Sequence, residues 1–302
     1  MTIIKYRRIF FSISLFLVLI SVFSIFFLKP VLGTDFSGGS ILEVSYLSDR
    51  PSLDEVKEKL NSLSLGNYSL RPSSDSNFIL RTREINDEEK TTVVNALSLD
   101  GALELSEERF NSIGPVVGAS LKSKSYKAIS VVVIAIVLFV TFAFRKVSRP
   151  VASWKYGVAT IIALAHDILV PTGIYIIFGR YFGAEIDLLF VTALLAILGY
   201  SVHDTIVVFD RVRERLRINS QLEKNESFDK TVGESLRQTM GRSINTSLTV
   251  FLVLIALFFI GSESTRNFTF ILITGIIAGT YSSIFLASPL LVTLEKLQKK
   301  KF

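Results

Sequence analysis

Six long apolar stretches divide the sequence, and each is long enough to cross a lipid bilayer as a helix. They lie at residues 9–28, 128–144, 158–178, 188–209, 244–260 and 268–292. A membrane-spanning helix needs about twenty mostly apolar residues, because the hydrocarbon core is about 30 Å thick. Residues 15–20 and 131–140 contain no polar side chain, so the first two spans are the clearest. The pattern predicts a polytopic α-helical membrane protein with six transmembrane helices.

The segment between the first two spans has the mixed pattern of a small folded domain. Alternation of polar and apolar positions predicts strands at residues 40–46, 68–71, 78–82 and 103–113. Capping patterns predict two helices, one beginning after Ser52 with Glu55 and one after Asn86 with Glu89. The resulting order, βαββαβ, is that of a split-βαβ sheet. We therefore predict a small α+β ferredoxin-like domain.

Basic residues mark one side of the membrane. Lysine and arginine are concentrated before the first span, in every second connection and at the chain end: Lys5, Arg7, Arg8, Arg145, Lys146, Arg149, Lys155, Arg211, Arg213, Arg215, Arg217, Lys224, Lys230, Arg237, Arg242, Lys296, Lys299, Lys300 and Lys301. The connections at 180–187 and 261–267 are short and near neutral. Since cytoplasmic loops carry the positive charge, we predict that both termini are cytoplasmic.

This orientation predicts three parts in the chain. Residues 1–29 form the cytoplasmic N-terminus and the first transmembrane helix, residues 30–126 the extracytoplasmic domain, and residues 127–302 a five-helix bundle with basic cytoplasmic loops. The first span could instead be a cleaved signal peptide. Its apolar run is longer than that of a usual signal peptide, and Lys29 and Pro30 follow where small residues would mark cleavage. We interpret it as a retained anchor.

Composition supports the membrane interpretation. Of 302 residues, 49% are hydrophobic, and the mean hydropathy of +0.48 is too high for an ordinary soluble domain. The absence of cysteine excludes disulfides and cysteine-based zinc or iron–sulfur sites. The net charge is +6, and the basic residues lie in clusters beside the apolar spans, which indicates their role in membrane orientation. We therefore predict no nucleic-acid partner.

The fourth predicted span contains an acidic residue, Asp204. A charged group at the bilayer centre costs about 2.5–3.5 kcal/mol on insertion scales, so it needs a structural or functional reason. At about 100° per residue, Asp204 shares a face with Ala193, Ala196 and Tyr200. Because small residues let helices approach closely, we expect Asp204 to point into the bundle. A carboxylate poised there between burial and a nearby guanidinium can take up and release protons.

Arg242 is the predicted partner of Asp204, because it opens the fifth span. Asn245, Thr246 and Thr249 continue its face at positions i+3, i+4 and i+7. A polar stripe on a membrane helix should line a protein or water interior. The alternative is that Arg242 is a cytoplasmic residue at the helix end whose side chain only reaches the interface.

The other polar residues inside the spans have less definite interpretations. His203 points about 100° away from Asp204, so it is either a relay or a packing residue. Asp167, next to His166 in the third span, is likewise either a relay or a packing residue. Two acidic residues lie among three arginines at residues 210–215 and predict an ion network at the helix end. Gly275 and Gly279 form a small-xxx-small pattern that predicts helix contact.

The longest motif in the chain is Gly199-Tyr-Ser-Val-His-Asp-Thr-Ile-Val-Val-Phe-Asp-Arg-Val-Arg-Glu214. It closely resembles the signature of the SecF family of protein-export subunits. Asp35-Phe-Ser-Gly-Gly39 is similar to the N-terminal motif of the family, although the residues alone indicate only a turn whose glycines permit positive φ. Ile113-Gly-Pro-Val-Val-Gly118 and Arg242-Ser-Ile-Asn-Thr-Ser247 resemble its motifs at the second and fifth spans. The resemblance covers nearly the whole chain.

The resemblance implies a protein-translocation role. SecF proteins work with SecD, belong to the resistance-nodulation-division superfamily and use the proton gradient, or sodium in some members, to draw secreted proteins outward. By position, Asp204 matches the family's ion-coupling aspartate and Arg242 its basic partner. Asp35, Gly38, Gly39 and Gly199 match structural motif positions. His203 departs from the asparagine that many members carry, and residues 218–229 are interpreted as an insertion in a cytoplasmic loop.

The implied setting is the bacterial cell membrane, which is the inner membrane where an outer one exists. The implied partners are SecD, the SecYEG translocon with SecA, YajC and YidC, unfolded secretory polypeptides and the lipid bilayer. No metal and no cofactor besides the coupling ion, H⁺ or Na⁺, is expected, and no enzymatic activity.

Three other function classes are alternatives. A small-molecule exporter of the same superfamily usually carries larger, duplicated external domains on one chain, whereas this chain has one modest domain. An intramembrane protease is disfavoured because the sequence contains neither His-Glu-x-x-His nor a Gly-x-Ser-Gly elbow, and no paired aspartyl motif accompanies Asp204. A purely structural subunit, in which Asp204 only specifies helix packing, stays open.

Overall fold

A computed structural model describes residues 2–73, 75–145, 151–223, 226–261 and 263–299. Five basic residues of the orientation argument lie outside these ranges: Lys146, Arg149, Lys224, Lys300 and Lys301. The chain separates into two compact units. The membrane unit comprises Met1–Val31, Lys127–Glu185 and Leu189–Phe302, and the external unit comprises Leu32–Tyr126 and Ile186–Leu188.

The membrane unit is helical. Its helices are α1 (Thr2–Lys5), α2 (Arg7–Phe27), α6 (Pro115–Ala143, which begins in the external unit), α7 (Ser153–Phe182), α8 (Leu188–Gln221), α9 (Phe228–Ile260), α10 (Glu263–Tyr281) and α11 (Ser288–Lys299). A π-helical segment, Ser282–Ala287, joins α10 to α11. In the described residues six helical segments are long and apolar enough to cross a membrane, the sixth running from Thr265 to Leu297. The prediction of six spans is confirmed.

The contact between α2 and α7 relies on small polar residues. The buried residues of α2 are Ser14, Ser21 and Ser24, while its large apolar side chains, such as Phe16, are exposed. Ser21 and Ser24 donate to backbone carbonyls of their own helix, so their hydroxyls are satisfied. A Cβ atom on Gly173 of α7 would lie 2.4 Å from the Cα of Ser21. The two backbones therefore approach as closely as glycine allows.

Helices α8 and α9 are longer than a bilayer requires. They contain 34 and 33 residues, so each is about 50 Å long against a hydrocarbon thickness of about 30 Å. The interpretation of residues 218–229 as a loop insertion is wrong, because α8 continues to Gln221 and α9 begins at Phe228. The charged residues at the end of α8 are therefore helical. The predicted ion network is present there, between Asp210 and Arg213 and between Arg211 and Glu214.

Glu226 links the end of α8 to the start of α9 by hydrogen bonds. The guanidinium of Arg215 donates two hydrogen bonds to its carboxylate, at 3.0 and 3.1 Å. Asn219 and Thr231 donate to the same carboxylate at 2.8 and 3.2 Å. The hydrogen bonds from Arg215 are the main cause that lowers the pKa of Glu226 to about 2. The hairpin is thus closed by a charge that is present throughout the physiological pH range.

The external unit is a two-layer α+β fold. Its elements are α3 (Thr34–Ser37), β1 (Gly39–Tyr46), α4 (Leu53–Asn61), β2 (Ser69–Pro72), β3 (Asn77–Thr82), α5 (Asp87–Leu97) and β4 (Leu105–Ile113). The strands form an antiparallel sheet in the order β2-β3-β1-β4. Both predicted capping boxes are present, at Ser52 with Glu55 and at Asn86 with Glu89. The prediction of a ferredoxin-like βαββαβ domain is confirmed.

The core of the external unit follows from strand alternation and helix periodicity. Every second residue of β1 and β3 is buried, as are one stripe of α4 and one of α5. The buried cluster includes Leu42, Val44, Val56, Leu60, Phe78, Leu80, Val93 and Leu97. Tyr46 closes it by donating its hydroxyl to the carbonyl of Leu97 at 2.7 Å, and burial raises the pKa of Tyr46 to about 12.

Residues near the fourth span complete this unit. Leu32 forms a parallel β-bridge with Ile186, and the N–H of Gly33 donates to the carbonyl of Ile186 at 2.8 Å. The sequence placed Ile186 in a short connection between membrane helices and gave no signal of this pairing.

Gly173→Ala should destabilise the membrane unit, because the new methyl group meets the backbone of Ser21. The matched control is Gly241→Ala, since a Cβ there meets no atom within 4 Å. Alanine is favoured over glycine in a helix by about 1 kcal/mol, so the control should be unchanged or more stable. The thermal unfolding midpoint of each purified variant measures the difference. Equal midpoints would contradict the close packing of α2 on α7.

Glu226→Gln should open the end of the α8–α9 hairpin. A free glutamate titrates near pH 4.3, so the stabilisation from Glu226 is complete above about pH 5. It is lost as the pH falls through the folded value of about 2. Hydrogen exchange of both helix ends, corrected for intrinsic rates, should accelerate in the variant at pH 6. Glu223→Gln, at an exposed position, is the control and should leave protection unchanged.

Candidate functional site

Asp204 lies on the buried side of α8. Its side chain is 8% exposed. The hydroxyl of Ser243, on α9, donates to Oδ1 at 2.5 Å. The other oxygen, Oδ2, is buried and has no hydrogen-bond partner among the described residues. A buried carboxylate oxygen without a donor is costly, and it is a position at which a proton or an incoming donor can be accepted.

The structure brings Ser243 to Asp204, and Arg242 forms no ion pair with it in the part of the chain that is described. Arg242 is exposed, although it and His203 lie close enough to act on Asp204 electrostatically. Neighbouring residues on a helix point about 100° apart, so Ser243 faces α8 while Arg242 points aside. Sequence reasoning missed Ser243, although it belongs to the same motif.

The polar stripe predicted on the fifth span is not buried inside this chain. Asn245, Thr246 and Thr249 are all exposed in the isolated chain. The hydroxyls of Thr246 and Thr249 donate to carbonyls of their own helix, at 2.9 and 2.5 Å. The buried polar face of α9 consists instead of Thr239, Ser243 and Ser247.

The predicted face of α8 also needs correction. Ala193 is buried and Tyr200 is half-buried, but Ala196 is exposed. His203 is exposed, and a Cβ on Gly199 would meet no atom within 4 Å. The outer side of α8 therefore carries small residues and one histidine.

Asp167 lies deeper than Asp204. It is fully buried, and its neighbour His166 is 2% exposed. Ser282 donates to Oδ2 of Asp167 at 2.8 Å, and Ser201 donates to the same oxygen. Nδ1 of His166 lies 3.0 Å from Oδ1. The structure thus joins α7, α8 and the π-helical segment through one carboxylate, which the sequence left as either a relay or a packing residue.

A second set of hydroxyls joins α8 to the π-helical segment, to α9 and, through α9, to α10. Ser283 lies 2.9 Å from Thr205 and donates to the carbonyl of Ser201 at 3.3 Å. Tyr200 donates to Ser247 at 3.0 Å, and Ser247 lies 2.6 Å from Thr280. The adjacent serines at 282 and 283, within the sixth apolar span, are the signal that could have found this network.

The predicted contact of the small-xxx-small pattern is confirmed. A Cβ on Gly275 would lie 2.1 Å from Cδ1 of Ile197, and one on Gly279 would lie 2.9 Å from Cβ of Ser201. Helix α10 therefore packs directly against α8. Gly279 makes room for the serine that hydrogen bonds to Asp167.

The Asp35 motif has a structural role within the external unit. Oδ2 of Asp35 accepts the backbone N–H of Leu188, the first residue of α8, at 3.0 Å. Gly38 and Gly39 have φ values of +76° and +124°, which favour glycine. A Cβ at Gly38 would lie 2.8 Å from Cα of Pro115. The motif therefore makes a tight turn and caps a helix. Across the described residues, no group of three or more potential side-chain ligands is placed to hold a metal ion.

Comparison with known proteins places this arrangement in a family. The family model "Protein export membrane protein SecD/SecF, C-terminal" matches residues 93–297. The protein translocase subunit SecF of Thermobaculum terrenum is 39% identical over 307 aligned residues, covering 97% of this chain and 93% of the relative. The chain belongs to the SecF family. The SecF subunit of Anaerolinea thermophila is 38% identical, covering 96% of this chain and 92% of its own length.

A solved structure agrees with the SecF assignment. The crystal structure of SecDF, a translocon-associated membrane protein from Thermus thermophilus, matches with a TM-score of 0.82 at 28% identity. The match covers 98% of this chain, and the chain spans 39% of the length of that protein. The resemblance found in the sequence is confirmed: the chain is a multi-pass, SecF-type protein translocase subunit, and its relatives are named for a non-enzymatic role.

Ser247→Ala should loosen the contact between α8, α9 and α10. Hydrogen bonds between membrane helices contribute about 0.6 kcal/mol on average and up to about 1.7 kcal/mol, so a loss in this range of unfolding free energy is expected. The control is Thr249→Ala, because Thr249 is exposed and bonds only to its own helix. Denaturant titration of both purified variants gives the comparison, and equal stability would contradict a structural role for Ser247.

Proposed function

We propose that this SecF-type subunit uses the proton gradient, together with a SecD-like partner, to promote the outward movement of translocating polypeptides. Asp204 is the proposed coupling group, with Arg242 as its basic neighbour. The observation that carries the proposal is the buried carboxylate of Asp204, which has one hydroxyl donor on Oδ1 and no partner on Oδ2 in the described part of the chain. Sodium is the alternative coupling ion.

The proposed mechanism is a change in helix packing. When Asp204 is ionised, it accepts the Ser243 hydroxyl across the α8–α9 contact and is attracted by the charge of Arg242. Protonation neutralises the Asp204 carboxylate and weakens both interactions. The bundle then shifts between two packings, and the external domain moves with it to advance the polypeptide.

The membrane potential supplies enough energy to bias the equilibrium between the two packings. One charge crossing a potential of 100 mV gains about 2.3 kcal/mol. Because about 1.4 kcal/mol corresponds to a tenfold change in an equilibrium constant, one proton shifts a two-state equilibrium by roughly fifty-fold. That is enough to change which packing dominates, and too little to unfold a domain.

The outer polar face of α8 and α9 supports a membrane partner. We call this set the outer polar face: His203, Arg242, Asn245, Thr246 and Thr249, all of which are exposed in the isolated chain. Polar side chains at membrane depth avoid lipid and line protein or water interiors. A SecD-like helix bundle is the proposed cover, and the matched crystal structure is of a protein named SecDF, of which this chain spans 39%.

The proposal places the subunit in the bacterial cell membrane with both termini in the cytoplasm. The described basic residues before α2, at the α8–α9 connection and near the end of α11 support that orientation. Further proposed partners are the SecYEG translocon, SecA, YajC, YidC and the secretory polypeptide itself. A small-molecule exporter is not favoured, because the relatives described above are named protein translocase subunits.

Asp204→Asn should insert and assemble normally but lose gradient-dependent export. The amide keeps the shape of the side chain and cannot exchange a proton in the working pH range. The measurement is translocation of a secretory protein into inverted membrane vesicles, with the gradient intact or collapsed by an uncoupler.

The control for this test is Asp210→Asn, an exposed carboxylate less than two turns further along α8. It should retain the gradient-dependent part of export. If Asp204→Asn exports normally and remains sensitive to the uncoupler, Asp204 is not the coupling group and has only a packing role.

A further inference from the structure

His166 and Asp167 form a buried acid–base pair that the proposed Asp204 mechanism does not use. Nδ1 of His166 lies 3.0 Å from Oδ1 of Asp167. The side chains are 2% and 0% exposed. Burying a histidine and an aspartate side by side is costly unless their charges and hydrogen bonds are compensated.

The surroundings compensate the aspartate with hydroxyl donors. Ser201 of α8 and Ser282 of the π-helical segment both donate to Oδ2. Together with His166, they give Asp167 three hydrogen-bond donors, a number that suits an ionised carboxylate, which only accepts. No lysine or arginine among the described residues forms an ion pair with Asp167. Among the described residues, the imidazole of His166 is therefore the group in contact with Asp167 that can carry a balancing charge.

The imidazole has one free position for a proton. Its Nε2 atom is buried and has no hydrogen-bond partner among the described residues. With Nδ1–H donating to Asp167, the neutral ring leaves a lone pair on Nε2. Proton uptake forms an N–H bond there and converts the pair from a net charge of −1 to a neutral imidazolium–carboxylate pair. Release reverses the step, so atoms and charge balance.

The groups that face the pair from neighbouring elements are few. The ring of Tyr281, at the end of α10, stacks on His166 with a centroid distance of 5.8 Å. Its hydroxyl donates to the carbonyl of Phe10 on α2 at 3.0 Å. Asp204 lies on α8, three residues beyond Ser201, and hydrogen bonds to α9. Among the described residues, Tyr281 is therefore the titratable side chain shown in contact with the pair from another element.

The pair is joined to an irregular part of the last span. Ser282 begins the π-helical segment, and Ser283 contacts Thr205 and the carbonyl of Ser201 on α8. Segments of π-helix are often found at functional sites. A change of charge on the pair alters the strength of the Ser282 hydrogen bond and thereby the packing of this segment against α8.

We propose that His166 and Asp167 form a second proton-binding site inside the membrane unit, distinct from Asp204, whose occupancy sets the packing of the π-helical segment. The ligand is a single proton, held at Nε2 of His166. The proposal does not rest on Asp204 as the coupling group.

The chain offers a direct probe, because it contains only two histidines. In the His203→Gln, Asp204→Asn double variant, His166 is the only histidine and Asp204 cannot titrate. Solid-state NMR of ¹⁵N-histidine in the full-length chain in lipid nanodiscs then reports the ring nitrogens of His166 alone. We expect Nε2 to change from the unprotonated to the protonated signal as the pH is lowered.

Two further variants separate a proton site from a packing role. Ser282→Ala removes a donor to the carboxylate, so the negative charge is less well stabilised and the midpoint should rise by about one pH unit. Asp167→Asn removes the negative partner and should lower the midpoint by more than about one pH unit. Ser282→Ala keeps the test informative if Asp167→Asn fails to fold.

Two outcomes would overturn the proposal. One is a His166 spectrum that does not change between about pH 4 and 10, or whose midpoint is the same in Ser282→Ala. The other is a midpoint that depends on sodium concentration at constant ionic strength, since that would assign the site to a metal cation. Neither result bears on Asp204, whose role is decided by export in the Asp204→Asn variant alone.

Discussion

Contact between helices in this chain depends on small and hydroxyl-bearing residues, because the hydrophobic effect does not drive apolar helix faces together in lipid. Lipid tails are as apolar as leucine, so helices associate through close packing and hydrogen bonds. Helix α2 shows this most simply, since its buried residues are three serines, whereas Phe16, Phe23, Phe26 and Phe27 are exposed. The same rule places Gly173 against α2 and Gly275 and Gly279 against α8.

Hydroxyl donors also explain how acidic side chains are accommodated in the described part of the bundle without a lysine or arginine ion pair. Asp204 has Ser243, and Asp167 has Ser201 and Ser282. A hydroxyl donor stabilises a carboxylate less than a guanidinium does, so the carboxylate charge stays sensitive to its surroundings. A fixed ion pair inside the bundle would hold the charge permanently, as Arg215 does for Glu226 at the hairpin end.

Local patterns were sufficient for the architecture. Apolar length gave the six spans, and the capping boxes and strand alternation gave the order of the external domain, because each signal is contained within a few consecutive residues. The face of each membrane helix was less predictable. The sequence of one helix does not show which neighbour each of its faces meets. The prediction therefore missed that Ser243 is buried while Asn245, Thr246 and Thr249 are exposed. Ser282 was missed because a π-helical segment changes the period with which residues return to one face, and the bridge of Ile186 to Leu32 joins distant parts of the chain.

Helix α8 joins the features that matter for function. Within four residues it presents Ser201 to Asp167, exposes His203 on the outer polar face and directs Asp204 toward Ser243. Because a helix with all its backbone hydrogen bonds moves as a rigid body, a rotation that weakens one of these contacts changes the others. At Gly275 and Gly279, α10 presents no side chain to α8, so that Ile197 and Ser201 of α8 pack directly against its backbone. If both proposals hold, a rotation of α8 is the motion through which a proton at Asp204 or at His166 and a partner on the outer polar face would affect each other.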